Sequence, residues 1–272
     1  MFNGLFLKSL LLAFVGLLHL GVPQVKASNN ITASQAKKIF SLYPEPRIVN
    51  GQSAKDGQFP HQVALFIGNH FACGGSIITP NYVVTAAHCV TSGGRPNPYS
   101  ASRLNVRVGS LFYNSGGEVI GVSQVKVHPS YRRTVNDIAL LKLSKPLVFT
   151  DKIKPIAIAK QSPADGVAVI TSGWGLLRRS GPTPRELQYT TMTALSQNNC
   201  RRRLWSVSST VLCLAPRSGN GVCSGDSGGP AVYNNELVGV TNYVVGGCGS
   251  RYPDGYANAA YHYSFIKNNS DL

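Results

Sequence analysis

The 272-residue chain is 43% hydrophobic and 14% charged, which excludes a disordered polyelectrolyte and supplies enough apolar surface for one large or two small cores. Its formal charge is +15; residues 1–47 carry five basic residues against one acid, so the chain from Ile48 onward carries +11. A basic excess can attract nucleic acid, anionic membrane or acidic substrates, yet the dense run is Arg201-Arg202-Arg203 with no interleaved aromatics, so it reads as a solvated surface and no specific nucleic acid is expected.

The chain opens on a mostly apolar run, Phe2 to Leu20, with Lys8 near its start and small residues at Val25 and Ala27. This pattern predicts a secretory signal peptide over 1–27 and an extracellular product. No later segment is apolar and long enough to span a bilayer, so no membrane partner is expected. Residues 28–47 are polar, lack apolar periodicity and end in Pro44-Glu45-Pro46-Arg47, as a removable leader would. Asn30-Ile31-Thr32 and Asn268-Asn269-Ser270 match the glycosylation acceptor pattern.

From Ile48, short apolar or alternating runs recur between Gly, Pro and Asn: Gln62 to Ile67, Ser76 to Thr79, Tyr82 to Ala87, Asn105 to Val108, Glu118 to Val127, Ile138 to Leu143, Val167 to Ser172 and Glu236 to Thr241. These predict strands. A helix is expected near the end, over Tyr261 to Asn268. Many short strands without alternating helices indicate an all-β barrel or sandwich, and Val148 to Pro155 would join two similar halves.

Secretion changes the meaning of Cys73, Cys89, Cys200, Cys213, Cys223 and Cys248, an even set in an oxidising compartment. Disulfides are expected, although spacing does not choose among the possible pairings. No CxxC pair is present and the histidines lack finger spacing, so neither metal nor cofactor is expected.

The run Cys223-Ser224-Gly225-Asp226-Ser227-Gly228-Gly229-Pro230 sets a serine within a glycine-rich turn, where backbone N–H groups can converge on a developing negative charge. A serine hydroxyl becomes a useful nucleophile when a base takes its proton, and that base needs an acid to orient it. His88 follows a strand that ends in small residues, and Asp137 stands at the mouth of the apolar run Ile138 to Leu143. With Ser227 they give the chain order His, Asp, Ser.

These three segments, with Arg47-Ile48-Val49-Asn50-Gly51, Cys73-Gly74-Gly75-Ser76-Ile77-Ile78 and Ser172-Gly173-Trp174-Gly175, resemble the chymotrypsin and trypsin family of serine endopeptidases over Ile48 to Leu272. The resemblance implies two packed six-stranded antiparallel β-barrels with a C-terminal helix, the first over about 48–150 and the second over about 156–272, within a protease domain 48–272 that follows an activation propeptide, 28–47. It implies that Ser227 attacks the peptide carbonyl, His88 relays the proton, Asp137 orients His88, and the N–H groups of Gly225 and Ser227 form an oxyanion hole. It implies cleavage after Arg47, with the freed amino group of Ile48 pairing with Asp226. The disulfides it implies are Cys73–Cys89, Cys200–Cys213 and Cys223–Cys248. Expected partners are protein or peptide substrates, an activating protease and serpin-type or other protein inhibitors, with the enzyme itself a monomer.

The pattern breaks at the specificity pocket. Where relatives that cut after Arg or Lys carry an aspartate, this chain has Gly221; where a glycine usually follows the proline, it has Asp254. That exchange resembles the collagenolytic, brachyurin-like arthropod branch, whose specificity is broad. Asn242-Tyr243-Val244 stands where Ser-Trp-Gly is usual, and Val244 would narrow the pocket entrance as in elastase-like members. Chymotrypsin-, elastase- or collagenase-like cleavage is therefore expected over strict trypsin-like cleavage. Ser110 replaces the glutamate of the family's calcium loop. The alternative function is a catalytically silent binding protein on the same fold.

Overall fold

Strands whose residues alternate between core and solvent can close into a barrel, since a period of two sends one set of side chains inward. The computed structural model describes residues 51–217 and 219–272, so the expected signal peptide and leader, the Arg47-Ile48 bond and the Asn30 triplet lie outside the described residues. β1 (Gln52–Ser53) is followed by β2 (Gln62–Ile67), β3 (His70–Ile77), β4 (Tyr82–Thr85), β5 (Leu104–Val108), β6 (Glu118–Val127) and β7 (Ala139–Leu143). Antiparallel pairing in the order β2-β3-β4-β7-β6-β5, with β5 returning to β2, closes the first barrel. In β5, Leu104, Val106 and Val108 are buried while Asn105 and Arg107 are partly exposed. Val63, Leu65, Ile77, Val84, Ile120 and Leu141 fill the same core.

The second half contributes β8 (Ala157–Ile158), β9 (Ala168–Gly173), β10 (Gln188–Leu195), α1 (Gln197–Arg203), β11 (Val211–Ala215), β12 (Pro230–Tyr233), β13 (Glu236–Tyr243), β14 (Asp254–Asn258) and α2 (Tyr263–Asn268). The path β10-β11-β14-β13-β12-β9 is closed by pairing of β9 with β10, making a second antiparallel barrel around Val169, Met192, Leu212, Leu214 and Tyr256. The all-β expectation and the C-terminal helix are borne out. The ends of the domain cross over: β1 pairs with β10 of the second barrel, while Asn81 of the first donates its Nδ2 to Asp271 at 2.7 Å.

β2 and β6 have the boundaries that their patterns predict. β3 starts six residues earlier than its predicted Ser76, because Gly74 and Gly75 occupy a strand interior and do not punctuate it. β10, β11, β12, β14 and the helix α1 were not anticipated. α1 has no apolar stripe; it is capped by Ser196 Oγ, which accepts from Asn199 N–H at 3.2 Å, and by distant Asp165, which accepts from Ser196 N–H at 2.5 Å.

Glycine is required at 74 by proximity. A Cβ there would lie 2.9 Å from Gly229 Cα and 3.0 Å from Gly229 N, so β3 of the first barrel runs directly against the turn preceding β12 of the second. Gly74 N–H donates to Ser227 O at 2.7 Å, and Gln62 Oε1 accepts from Ser172 Oγ–H at 2.6 Å nearby. Backbone atoms on both sides leave little room for relief. Gly74→Ala is therefore expected to lower unfolding free energy by about 1 to 3 kcal/mol, read by urea denaturation; an unchanged midpoint with an unchanged slope contradicts the close approach.

Candidate active site

His88 lies in a single 3-10 turn, Ala87–Cys89, at the end of β4. A Cys73–Cys89 disulfide ties that turn to β3. Asp137 immediately precedes Ile138 and β7 and is fully buried. Its Oδ1 accepts from the His88 backbone N–H at 2.8 Å, and its Oδ2 accepts from Nδ1 at 2.6 Å. Two bonds from one residue fix both the turn and the ring, and the His88 side chain keeps 33% of its surface open to solvent. This geometry lets an Nδ1–H donate to the carboxylate and leaves Nε2 on the far side of the imidazole, where it can accept a proton.

Sequence reasoning missed the residues that hold Asp137. Asn136 takes a left-handed backbone, φ 53°, donates Nδ2 to Ser130 O at 3.1 Å, and places Oδ1 3.3 Å from Nε2 of His262 beside α2. Tyr131 is buried next to the carboxylate, and its hydroxyl is pushed above the ordinary tyrosine range by burial first and by Asp137's charge second. Asparagine tolerates the left-handed region, which is the signal that could have marked position 136.

Ser227 lies in the turn between Cys223 and β12. Its carbonyl is held by Gly74, and the next residue, Gly228, has φ 77° and no room for a Cβ, which would meet Gly74 O at 2.6 Å and Ala86 N at 3.1 Å. The turn thus presses on the end of β4, two residues before His88. Within it, Asp226, Gly228 and Gly229 spend their N–H groups on Cys223, Thr241 and Asp226 carbonyls. Among the described residues, the N–H groups of Gly225 and Ser227 have no protein acceptor.

Asp226 is fully buried, with Oδ1 accepting from Gly175 N–H at 2.7 Å and Oδ2 from Cys223 N–H at 2.9 Å. A Cβ on Gly173 or Gly175 would fall on this carboxylate, so both glycines are there to admit it. Burial raises its pKa to about 6, and the two N–H donors only partly oppose that. Phe71 covers the same turn: a Cβ on Gly225 would sit 3.4 Å from its ring, which meets Trp174 edge-on at 6.3 Å.

Gly221 and Asp254, 33 positions apart in the sequence, come together. A Cβ at 221 would lie 2.8 Å from Asp254 Oδ2, and that oxygen accepts from Val222 N–H at 3.2 Å. Burial, with a smaller contribution from the charge of Asp226, raises the Asp254 pKa to about 7. Val244 packs against the cluster containing Val222 and Tyr256. Tyr243 lies over Gly255, and Asn242 donates Nδ2 to Thr134 O at 2.9 Å, joining β13 to the loop before Asp137.

All six cysteines are paired as the resemblance implies, Cys73–Cys89, Cys200–Cys213 and Cys223–Cys248. Cys223–Cys248 joins the turn that carries Ser227 to the loop that carries Val244. Cys73, His88 and Cys89 cluster within 4.8 Å, but both sulfurs are spent in the disulfide and cannot serve as thiolate ligands. Ser110 closes its loop by donating Oγ–H to Ser115 O at 2.6 Å. Asn268 is exposed at the end of α2. No helix among the described residues is long and apolar enough to cross a membrane.

Comparison with known proteins matches this geometry. The Trypsin family model aligns with residues 48–266. Serine protease SP24D of Anopheles gambiae is 42% identical over 234 residues, covering 86% of this chain and 84% of that protein. Trypsin delta of Drosophila melanogaster is 40% identical over 231 residues, covering 82% of this chain and 88% of that protein. The solved structure of neuropsin, a serine protease expressed in the limbic system of mouse brain, superposes with a TM-score of 0.73 at 30% identity, covering 80% of this chain and 98% of that one. With a family match across nearly the whole of its two barrels, the chain belongs to the trypsin family of serine endopeptidases.

Proposed function

We propose that the protein is a secreted zymogen whose mature form hydrolyses peptide bonds through Ser227, His88 and Asp137. The observation that carries this reading is the 2.6 Å bond from His88 Nδ1 to the buried Asp137 carboxylate, on a turn pressed by the segment that holds Ser227. Ser227 attacks the scissile carbonyl while His88 Nε2 takes its proton; the proton later goes to the leaving amine, and water repeats the sequence on the acyl-enzyme. The N–H groups of Gly225 and Ser227 receive the oxyanion. Protein substrates follow from the endopeptidase family; serpin-type inhibitors and a monomeric state belong to this same proposal.

Cleavage after Arg47 would free the Ile48 amino group to pair with Asp226. Uncleaved, Asp226 has a raised pKa, so between about pH 4 and 6 the folded carboxyl keeps a proton that the unfolded one loses, and stability falls as pH rises through that window. The full shift corresponds to about 3 kcal/mol, which an ammonium partner would offset. For the amino group the slope has the same sign but the shift is stabilising: pairing raises its pKa in the folded state, so its contribution is fully present below about pH 7.7 to 8 and fades as pH climbs through the raised value.

An Arg47→Gln chain that remains intact is expected to be at least about 100-fold less active than the cleaved protein, as loss of the oxyanion geometry requires. It should also fail to react with an organophosphorus reagent that labels Ser227 in the cleaved form. Equal activity in the intact variant refutes the activation step, and absence of labelling after Ile48 is freed favours the silent binding protein.

Specificity follows from Asp254 beside Gly221 and from Val244 at the entrance. The pocket would accept small or medium apolar side chains and, when Asp254 is ionised, Arg or Lys as well, giving broad specificity in the manner of the collagenolytic branch. Because Asp254 ionises near pH 7, the ratio of kcat/KM for Arg or Lys over Leu before the cut should rise between pH 5.5 and 8.5. The rise should vanish in Asp254→Gly; a preference for Arg or Lys that survives that substitution defeats the relocated charge.

A further inference from the structure

The wall of the cleft beside His88 carries an arginine cluster that the hydrolytic chemistry does not use. An open recess of about 320 Å³ is bounded by His88, Tyr243, Asn242, Thr134 and Arg133. A second, of about 720 Å³, is bounded by Arg95, Arg132 and Arg133, and the two are continuous through Arg133, Tyr131 and the Gly93-Gly94 pair. Neither recess has a carboxylate in its lining. Among the described residues, no ion pair involves Arg95, Arg132 or Arg133.

The segment that presents Arg133 is braced. Arg132 and Val135 exchange backbone hydrogen bonds at 3.0 and 2.9 Å, Arg133 N–H donates to Gly94 O at 3.2 Å, and Asn242 reaches across from β13 to Thr134. Arg133 itself has φ 52°, a left-handed residue at the tip of a two-residue turn. Three exposed guanidinium groups on a fixed frame at the edge of a cleft form a site for carboxylates, which Arg engages bidentately.

We propose that this cluster selects substrates with acidic residues a few positions on the amino-terminal side of the scissile bond. The proposal rests on the peptidase reading above. With the residue before the cut lodged at Gly221 and Asp254, an extended peptide pairing along Asn242 to Val244 advances about 3.3 Å per residue and brings its next side chains to the recess between Tyr243, His88 and Arg133. Carboxylates there meet Arg133 first, and Arg95 and Arg132 beyond. The mature charge of +11 strengthens the same attraction during encounter.

The test compares matched peptides carrying Glu, Gln or Lys at the second to fourth positions before a fixed cleavage site, hydrolysed by protein cleaved after Arg47. At low salt the Glu peptide should exceed the Gln peptide in kcat/KM by about 3- to 10-fold, mainly through KM, and the advantage should shrink toward one at 0.5 M salt. Arg133→Asn keeps a residue that accepts the left-handed backbone and should reduce the ratio of Glu to Gln toward one; Arg95→Gln should reduce it part of the way. A wild-type ratio of one or below, with the Gln peptide still cleaved, overturns the proposal. A ratio unchanged in both variants, each retaining the parent's thermal midpoint, overturns it too. Failure to cleave any of the peptides removes the peptidase reading itself, and this inference with it.

Discussion

A carboxylate sealed inside protein with backbone dipoles as its neighbours organises this molecule. Asp226 occupies space that Gly173 and Gly175 vacate, takes N–H bonds from Gly175 and Cys223, and thereby bends the chain that carries Ser227. The same burial that makes the arrangement compact makes the ionised form costly, which is why its pKa is pushed to about 6. A buried ion pair adds little stability compared with an apolar pair, but it can choose between conformations. On the proposed activation step, a cation delivered from a new chain end would pair with a carboxylate that has no ion pair among the described residues, and the gain would be spent on geometry at Gly225 and Ser227.

The two barrels divide the work. The first supplies His88 and Asp137, bonded directly to one another, and the second supplies the turn that carries Ser227. Registration between them comes from short backbone contacts at Gly74 and Gly229, the Gln62–Ser172 hydrogen bond, and the Asn136–His262 approach near α2. β1 on the second barrel and Asp271 on the first reinforce the seam at both ends. A site assembled from two rigid bodies needs such ties, since an error of about 1 Å across the seam is enough to degrade positioning.

Legibility in the sequence followed the physics of each segment. Half-buried strands such as β6 were plain because one face meets the core and one meets water. β14 was hidden because Asp254–Asn258 is buried throughout and leaves no alternation to read. β10 does alternate, but its run of threonines carries little apolar contrast. At the candidate site, His88, Asp137 and Ser227 could be named from motifs, since the proposed chemistry restricts residue type. The residues that hold them could not: Asn136, His262 and Phe71 act through contacts with segments far away in the chain, and such contacts leave no local pattern.

The two buried acids also speak to one another. Asp254 feels the charge of Asp226, which adds to its own desolvation in raising its pKa to about 7. On the proposed activation step, an ammonium beside Asp226 would weaken that repulsion, and Asp254 would ionise more readily. The proposed activation step would then also favour a charge at Asp254 beside Gly221, because both carboxylates share one low-dielectric interior. On that proposal, an acid at 254 in place of one at 221 would make the pocket electrostatically responsive to the chain's own amino end. An acid on an exposed pocket floor would be screened by water and largely indifferent to it.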